Sequence, residues 1–301
     1  MEFTNKANLP SIFVRAVTND PYDNSGSDIS TTRLIAPPRI RILQERHQEL
    51  ISEDVADRFY SLLGQSVHSV IERSETEDDL VEQRLFYKDK DITNEWTLSG
   101  AFDVLSAKDG LVDVKVTSAW TVLDALNNGK IEWENQLNVL DFLCRKNQSK
   151  LLKNDKAIKV KQLSILAMMR DWSQSKVMQS DNYPRHPVMM IPIPRWSEEE
   201  QDTYVKERIR IHQQAEQSET LPVCTEKERW AKPDQYAVMK AGRKSAIKLE
   251  KSQQDAFDYC KKNNIDLNSK TYALVHRPGV DVRCQNYCNV NEFCDYYVNA
   301  K

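Results

Sequence analysis

GAFDVLSAKDGLVDVKVTSAW, Gly100–Trp120, reads as two short β-strands around an Asp109-Gly110 turn. Phe102 and Val104 on the first strand and Val112, Val114 and Val116 on the second call for burial, and side chains alternate along a strand. The two apolar sets share a face only if the loop between the strands has an odd length, which rejects a two-residue Asp109-Gly110 loop. A three-residue loop (108–110) sets Asp103 opposite Lys115, and a five-residue loop (106–110) sets Asp103 opposite Asp113. Either way Asp103, Asp113, Lys115 and Thr117 occupy the other face. Like charges directly across a ladder are destabilising. A divalent cation bridged by both carboxylates offsets that, and Lys115, one pleat from Asp113, could then polarise a phosphate oxygen or orient an attacking water. The plain alternative is a solvated face of an antiparallel sheet.

Around this hairpin the order of elements suggests an α/β chain with a mixed sheet flanked by helices. Residues 1–30 are polar and turn-rich (NDPYDNSGSD) and read as a loose lead-in, and Pro37-Pro38 stops regular structure. Helical patterning runs over 39–73, with His68 and Glu72 on one face. Strands follow at about 81–86, 96–105 and 111–117; Ser118 caps a helix that breaks near Gly129, and a second helix covers about 131–146. Strands at about 160–168 and 188–193 precede a capping box, Ser197 to Glu200, that opens a charged helix to about 216. A connector, 217–235, leads to a helix at about 243–262 and to a tail with one strand, TYALV. The implied division is 1–58 as lead-in and helical region, 59–216 as core, and 217–301 as C-terminal region.

With 301 residues, 40% hydrophobic and 29% charged, the chain is long and apolar enough for a sizeable core. A net charge of −3 means that any basic surface is local. The seven glycines fit neither GxxxxGK nor GxGxxG, which excludes phosphate loops of those types. No signal-peptide core and no run near the ~18 apolar residues of a membrane span is present, so the expected location is cytoplasmic.

Asp103 followed by Asp113-Val-Lys115 resembles the bipartite signature of the PD-(D/E)XK nuclease superfamily. Gly64-Gln-Ser-Val-His68 resembles the G-x-x-x-H helix of its RecB-like branch, and Glu134-Asn-Gln136-Leu the start of that branch's Q-x-x-x-Y motif, whose tyrosine position is Leu140 here. Phage-encoded members look especially similar. The resemblance implies a restriction-endonuclease-like sheet and a metal-dependent deoxyribonuclease, an exonuclease in phage DNA recombination or processing. It implies that His68, Asp103, Asp113 and the Val114 carbonyl hold Mg²⁺ or Mn²⁺, that Lys115 is the catalytic lysine, and that Gln136 and Glu82 belong to the catalytic group. The implied partner is DNA, as single strands or duplex ends, with a recombination protein as a further partner and the host cytoplasm as the setting. A different class of function on the same scaffold is a non-catalytic DNA- or partner-binding protein.

The tail spaces Cys284, Cys288 and Cys294 as C-x3-C-x5-C. In a cytosolic chain such clustering points to metal before disulfide, and a closed site wants a fourth thiolate. Cys144 and Cys260 fall on apolar stripes and read as core; Cys224, in a proline-flanked connector, reads as the fourth ligand. The arrangement resembles the iron–sulfur tails of AddB and the CRISPR-associated nucleases, which implies a 4Fe–4S cluster. Zn²⁺ is the rival, and reduced unliganded thiols the plain alternative. Lys240, Arg243, Lys244 and Lys248 form a basic patch before and along the expected 243–262 helix, a candidate DNA contact.

Overall fold

The computed structural model describes residues 2–19, 26–153 and 156–299, so residues 20–25 of the expected lead-in lie outside it. The chain forms two compact units: Met1–Ile42 with Gln48–Leu221, and Leu43–His47 with Pro222–Lys301. The N-terminal residues therefore belong to the same unit as the central sheet and are not a separate lead-in.

The first unit contains β1 (Glu2–Thr4), α1 (Ser11–Thr18), β2 (Ile29–Ser30), α2 (Thr31–Ile35), the start of α3 (Pro38–Arg46), β3 (Ser52–Asp54), α4 (Phe59–Glu72), β4 (Asp79–Tyr87), β5 (Leu98–Ser106), β6 (Gly110–Thr117), α5 (Ala119–Asn128) and α6 (Ile131–Lys146). It continues through β7 (Leu152–Lys153), β8 (Lys156–Ala157), β9 (Leu163–Met169), α7 (Gln174–Gln179), β10 (Val188–Ile193) and α8 (Glu198–Gln217). Three expectations fail here. The expected lead-in carries β1 and α1. The expected 39–73 helical run is broken by β3, which pairs in parallel with β1. Helix α3 starts at Pro38, since proline's missing N–H costs nothing in a first helical turn. The Ser118 cap, α6 and the Ser197–Glu200 capping box are as expected.

A six-stranded mixed sheet, ordered β10-β9-β6-β5-β2 with β4 also on β5, carries the unit. Its hairpin pairs Val104 with Val112, Leu105 with Leu111 and Ser106 with Gly110. That is the register of the five-residue alternative, tightened by one pair, and it sets Asp103 against Asp113. Beyond Val104 the two strands part. The edge of β5 that β6 leaves is taken up again by β2 at Leu98 and Ser99. A fork thus opens between β5 and β6. Phe102, Leu105, Leu111 and Val114 go to the core with Leu137, Phe142 and Leu143 of α6. Gly100 is required at the fork: a Cβ there would sit 2.4 Å from Thr31 Oγ1 and 2.8 Å from the Leu140 and Leu143 methyls.

Buried polar contacts tie α8 to the N-terminal segment. Arg208 donates through Nε to the Leu34 carbonyl (2.9 Å), Arg39 to the Leu221 carbonyl (2.6 Å), and Arg41 through Nε to His212 Nδ1 (3.0 Å). Burial lowers the His212 pKa to about 3, so the ring is neutral and its Nε2, 3.0 Å from the Leu34 carbonyl, carries the proton. Among the described residues no helix is long and apolar enough to cross a membrane.

The second unit contains α9 (Glu226–Arg229), β11 (Ala231–Lys232), β12 (Gln235–Lys240), β13 (Lys248–Glu250), α10 (Gln253–Lys262), β14 (Tyr272–Arg277), β15 (Val280–Asp281), α11 (Val282–Asn286) and α12 (Asp295–Asn299). Strands β13-β12-β14 form an antiparallel sheet, against which α10 packs Ala256 and Cys260 onto Val238. The expected 243–262 helix is shorter than its pattern suggested, because Gly242, at φ +81°, turns the chain into β13.

Candidate active site

The fork between β5 and β6 is the floor of a cleft of about 490 Å³, lined by His68, Glu82, Arg84, Asp103, Asp113, Lys115 and Gln136 among others. Each residue arrives for a local reason. Asp103 and Asp113 face each other by register. Lys115 follows Asp113 by one pleat, and its Nζ lies 2.8 Å from Asp113 Oδ2. His68 comes from α4 and Gln136 from α6, and Glu82 from the middle of β4.

Each aspartate has one oxygen hydrogen-bonded to the protein and the other facing a basic side chain. Asp103 Oδ2 accepts the Val114 N–H at 2.6 Å, the bond a continuous ladder would have spent on a β5 carbonyl; its Oδ1 lies 3.5 Å from His68 Nδ1. Asp113 Oδ1 accepts from Gln136 Nε2 at 2.9 Å. Asp113 Oδ2 is buried and is ion-paired with the Lys115 ammonium at 2.8 Å. One ammonium stands beside two facing carboxylates, so a further cation at the fork would offset the remaining negative charge. His68, Glu82 and Asp103 offer ligand atoms all within 4.8 Å of one another. The set of imidazole and carboxylate oxygens fits a hard divalent cation such as Mg²⁺ or Mn²⁺.

Glu82 holds a feature that sequence reasoning missed. Its φ of +49° lies in the left-handed region, inside a strand and without a glycine. The ladder skips it, from Val81–Val104 to Gln83–Phe102. In return its carboxylate accepts from His68 Nδ1 at 2.9 Å. Backbone strain of this kind costs about 1–3 kcal/mol. Glu82→Gly should therefore raise the thermal stability of the cation-free protein while weakening its Mn²⁺ affinity, read by melting curves and calorimetry on the same samples.

Two of the titratable groups at the fork are shifted upward. Burial, and then the facing Asp113, raise the Asp103 pKa to about 7. The hydrogen bond to Glu82 raises that of His68 against the opposing effect of burial. Both groups bind a proton more tightly folded than unfolded. Their contribution to stability is fully present below the unfolded values, 3.8 and 6.5, and is lost as pH rises through the folded ones. The cation-free protein should thus lose stability between about pH 4 and just above pH 7, and Asp103→Asn should remove part of that loss. Mn²⁺ affinity should move the opposite way and rise from pH 6 to pH 8, since ligands must lose their protons to bind.

In the second unit, Cys224 precedes α9, Cys284 lies in α11, Cys288 follows it, and Cys294 precedes α12. Burial pushes the Cys224 thiol up to about 12, helped by Glu228 and by Cys284, Cys294 and Cys288. The four sulfurs are therefore within electrostatic range of one another. Among the described residues no three cysteine sulfurs lie within 4.8 Å of one another. The scaffold around them is tied by Arg229, which donates to the Cys224 carbonyl and to Asp281 (3.0 Å), and by Arg283, which donates to the Glu228 carbonyl (3.2 Å). Cys144 and Cys260 are buried in hydrophobic clusters, as their stripes suggested. The basic patch is differently placed from its expectation: Lys240 ends β12, Arg243 and Lys244 sit exposed in the following turn, and Lys248 lies in β13, 3.6 Å from Glu250. These residues share no helix face.

No known family's profile matches the chain, and no curated protein matches it. Among solved structures, that of SSO0001 aligns with 67% of this chain and 84% of its own length, at 12% identity and a TM-score of 0.44.

Proposed function

We propose that the protein is a divalent-cation-dependent deoxyribonuclease of the PD-(D/E)XK, RecB-like kind, with the fork in the sheet as its active site. The observation that carries this reading is the grouping at the fork of His68, Glu82 and Asp103 with the facing Asp113, whose Oδ2 lies 2.8 Å from Lys115 Nζ. Asp103, Asp113, His68 and Glu82 would hold Mg²⁺ or Mn²⁺, with the Val114 carbonyl as a further oxygen. The bound cation supplies Lewis-acid stabilisation of the charge that builds on the phosphate. The chain's own groups do the rest. Gln136 holds Asp113 by one oxygen and so orients the other. The Val114 N–H does the same for Asp103. Lys115 would donate a hydrogen bond from Nζ–H to a non-bridging phosphate oxygen, where negative charge grows as water oxygen bonds to phosphorus. The phosphorus–oxygen ester bond then breaks; the departing sugar oxygen takes a proton and the attacking water loses one.

The four cysteines of the second unit would hold a 4Fe–4S cluster. Thiolates suit iron–sulfur and zinc alike. What favours the cluster over zinc is the resemblance of the C-x3-C-x5-C tail to the tails of iron–sulfur nucleases. Its role is to pin the tail segments together.

The test is end-labelled linear DNA, single-stranded and duplex, incubated with anaerobically purified protein and Mg²⁺ or Mn²⁺. Degradation that a chelator stops supports the reading, and the product ladder separates exonuclease from endonuclease. An intact, metal-loaded protein that leaves every substrate whole would defeat it, and would favour a DNA-binding role for the same cleft.

A further inference from the structure

The end of the sheet beyond Lys115 carries exposed aromatic residues that the cleft chemistry does not use. Trp120, in the first turn of α5, is 72% exposed, and Tyr60, in the first turn of α4, is 55% exposed. Backbone contacts bring their surroundings together. The Arg170 N–H donates to the Thr117 carbonyl at 2.9 Å, and the Ala119 N–H to Asp171 at 2.6 Å. The segment after β9 is thus bonded on both sides of Ser118, one residue short of Trp120. From that segment the Arg170 guanidinium lies 4.2 Å over the Tyr60 ring. Phe59 braces Tyr60 edge-on at 5.2 Å. Arg170 is exposed and makes no ion pair among the described residues. A guanidinium stacked on a tyrosine, with an exposed indole on the backbone segment bonded to its own, offers flat surfaces and a phosphate-binding charge at one end of the sheet.

Tyr60, Trp120 and Arg170 do not line the cleft, but they sit on elements that reach it. His68 lies eight residues along α4 from Tyr60, about 12 Å at helical rise. Lys115 is two strand residues from Thr117, about 7 Å. A short run of nucleotides bridges such distances. Stacking needs bases free of their partners, and duplex DNA hides its base faces. We propose, building on the nuclease reading, that Trp120, Tyr60 and Arg170 form a stacking platform for an unpaired DNA strand leading into the cleft. The substrate class is therefore single-stranded DNA, or a frayed end, over fully paired duplex.

Fluorescence anisotropy with labelled oligo(dT) and a blunt duplex of equal length, in chelator, tests this without turnover. Wild type should prefer oligo(dT). Trp120→Ala and Tyr60→Ala should each weaken oligo(dT) binding by about tenfold, within the span of one lost base stack, and leave duplex affinity within about twofold. Trp120 is mostly solvent-exposed, so its removal leaves the core intact, and melting curves confirm folding of both variants. Variants that keep oligo(dT) affinity, variants that weaken both ligands equally, or a wild type without preference for oligo(dT) would each overturn the proposal. Failure of the nuclease reading shows separately: no degradation with Mg²⁺ or Mn²⁺, whatever the binding pattern.

Discussion

Lys115→Gln is expected to reduce DNA hydrolysis by about a hundredfold to a thousandfold, the range for losing one preorganised donor to a developing anion. It is not expected to weaken cation binding. Lys115 Nζ stands 2.8 Å from Asp113 Oδ2, the oxygen that the cation is proposed to take. Removing the ammonium removes a competing positive charge, so Mn²⁺ should bind as well or better. Turnover and affinity then separate: rate falls while the Mn²⁺ dissociation constant holds or drops. A lysine that only neutralised its neighbour would instead change both together. Gln136→Ala provides a contrast. It frees Asp113 Oδ1 from the bond that orients the carboxylate, and should lower both rate and cation affinity.

The second large effect is expected in the tail. Wild-type protein purified without oxygen should carry about four irons and four sulfides per chain, as a 4Fe–4S cluster requires. Cys224→Ser should lose that content and lower the melting temperature of the second unit by more than about 10 °C, because cluster binding and folding are one process and a small domain shifts several degrees per kcal/mol. Cys260→Ser, in the Val238–Ala256 cluster, should keep its iron. Zinc in place of iron in anaerobic wild-type protein would retain the ligand set and change the metal. Retention of iron by Cys224→Ser would remove Cys224 from the set.

The legibility of these sites in the sequence followed contact range. Burial of Phe102 and Val112 on one face, with period-two alternation, restricted the hairpin to odd loops and placed Asp103, Asp113 and Lys115 together. The choice between registers was open, because loops 108–110 and 106–110 bury the same valines. What decided it was a tertiary feature, the parting of β6 from β5 after Val104, which frees the Val114 N–H for Asp103. The left-handed backbone at Glu82 left no trace in composition, since glutamate rarely adopts it. The lead-in failed because β1 is polar and exists only through its pairing with β3, fifty residues on. The Arg41–His212 contact is longer still in range, and a charged residue near a proline pair gives no sign of burial. The basic patch failed because Gly242, at φ +81°, turns the chain and residues 248–250 pair as a strand with β12, so the helix begins only after its Ser252 cap.

The paired aspartates at the fork are proposed to hold a divalent cation. Calorimetric titration of Mn²⁺ into wild-type protein and into Asp113→Asn, at pH 8, tests it most directly. Asparagine keeps the shape and the acceptor for Gln136 but removes the charge. Wild type should show saturable binding at the fork, with proton release that grows as pH is lowered toward 7, and the variant should lose that binding. Equal Mn²⁺ binding by both proteins, or none by either, would contradict it.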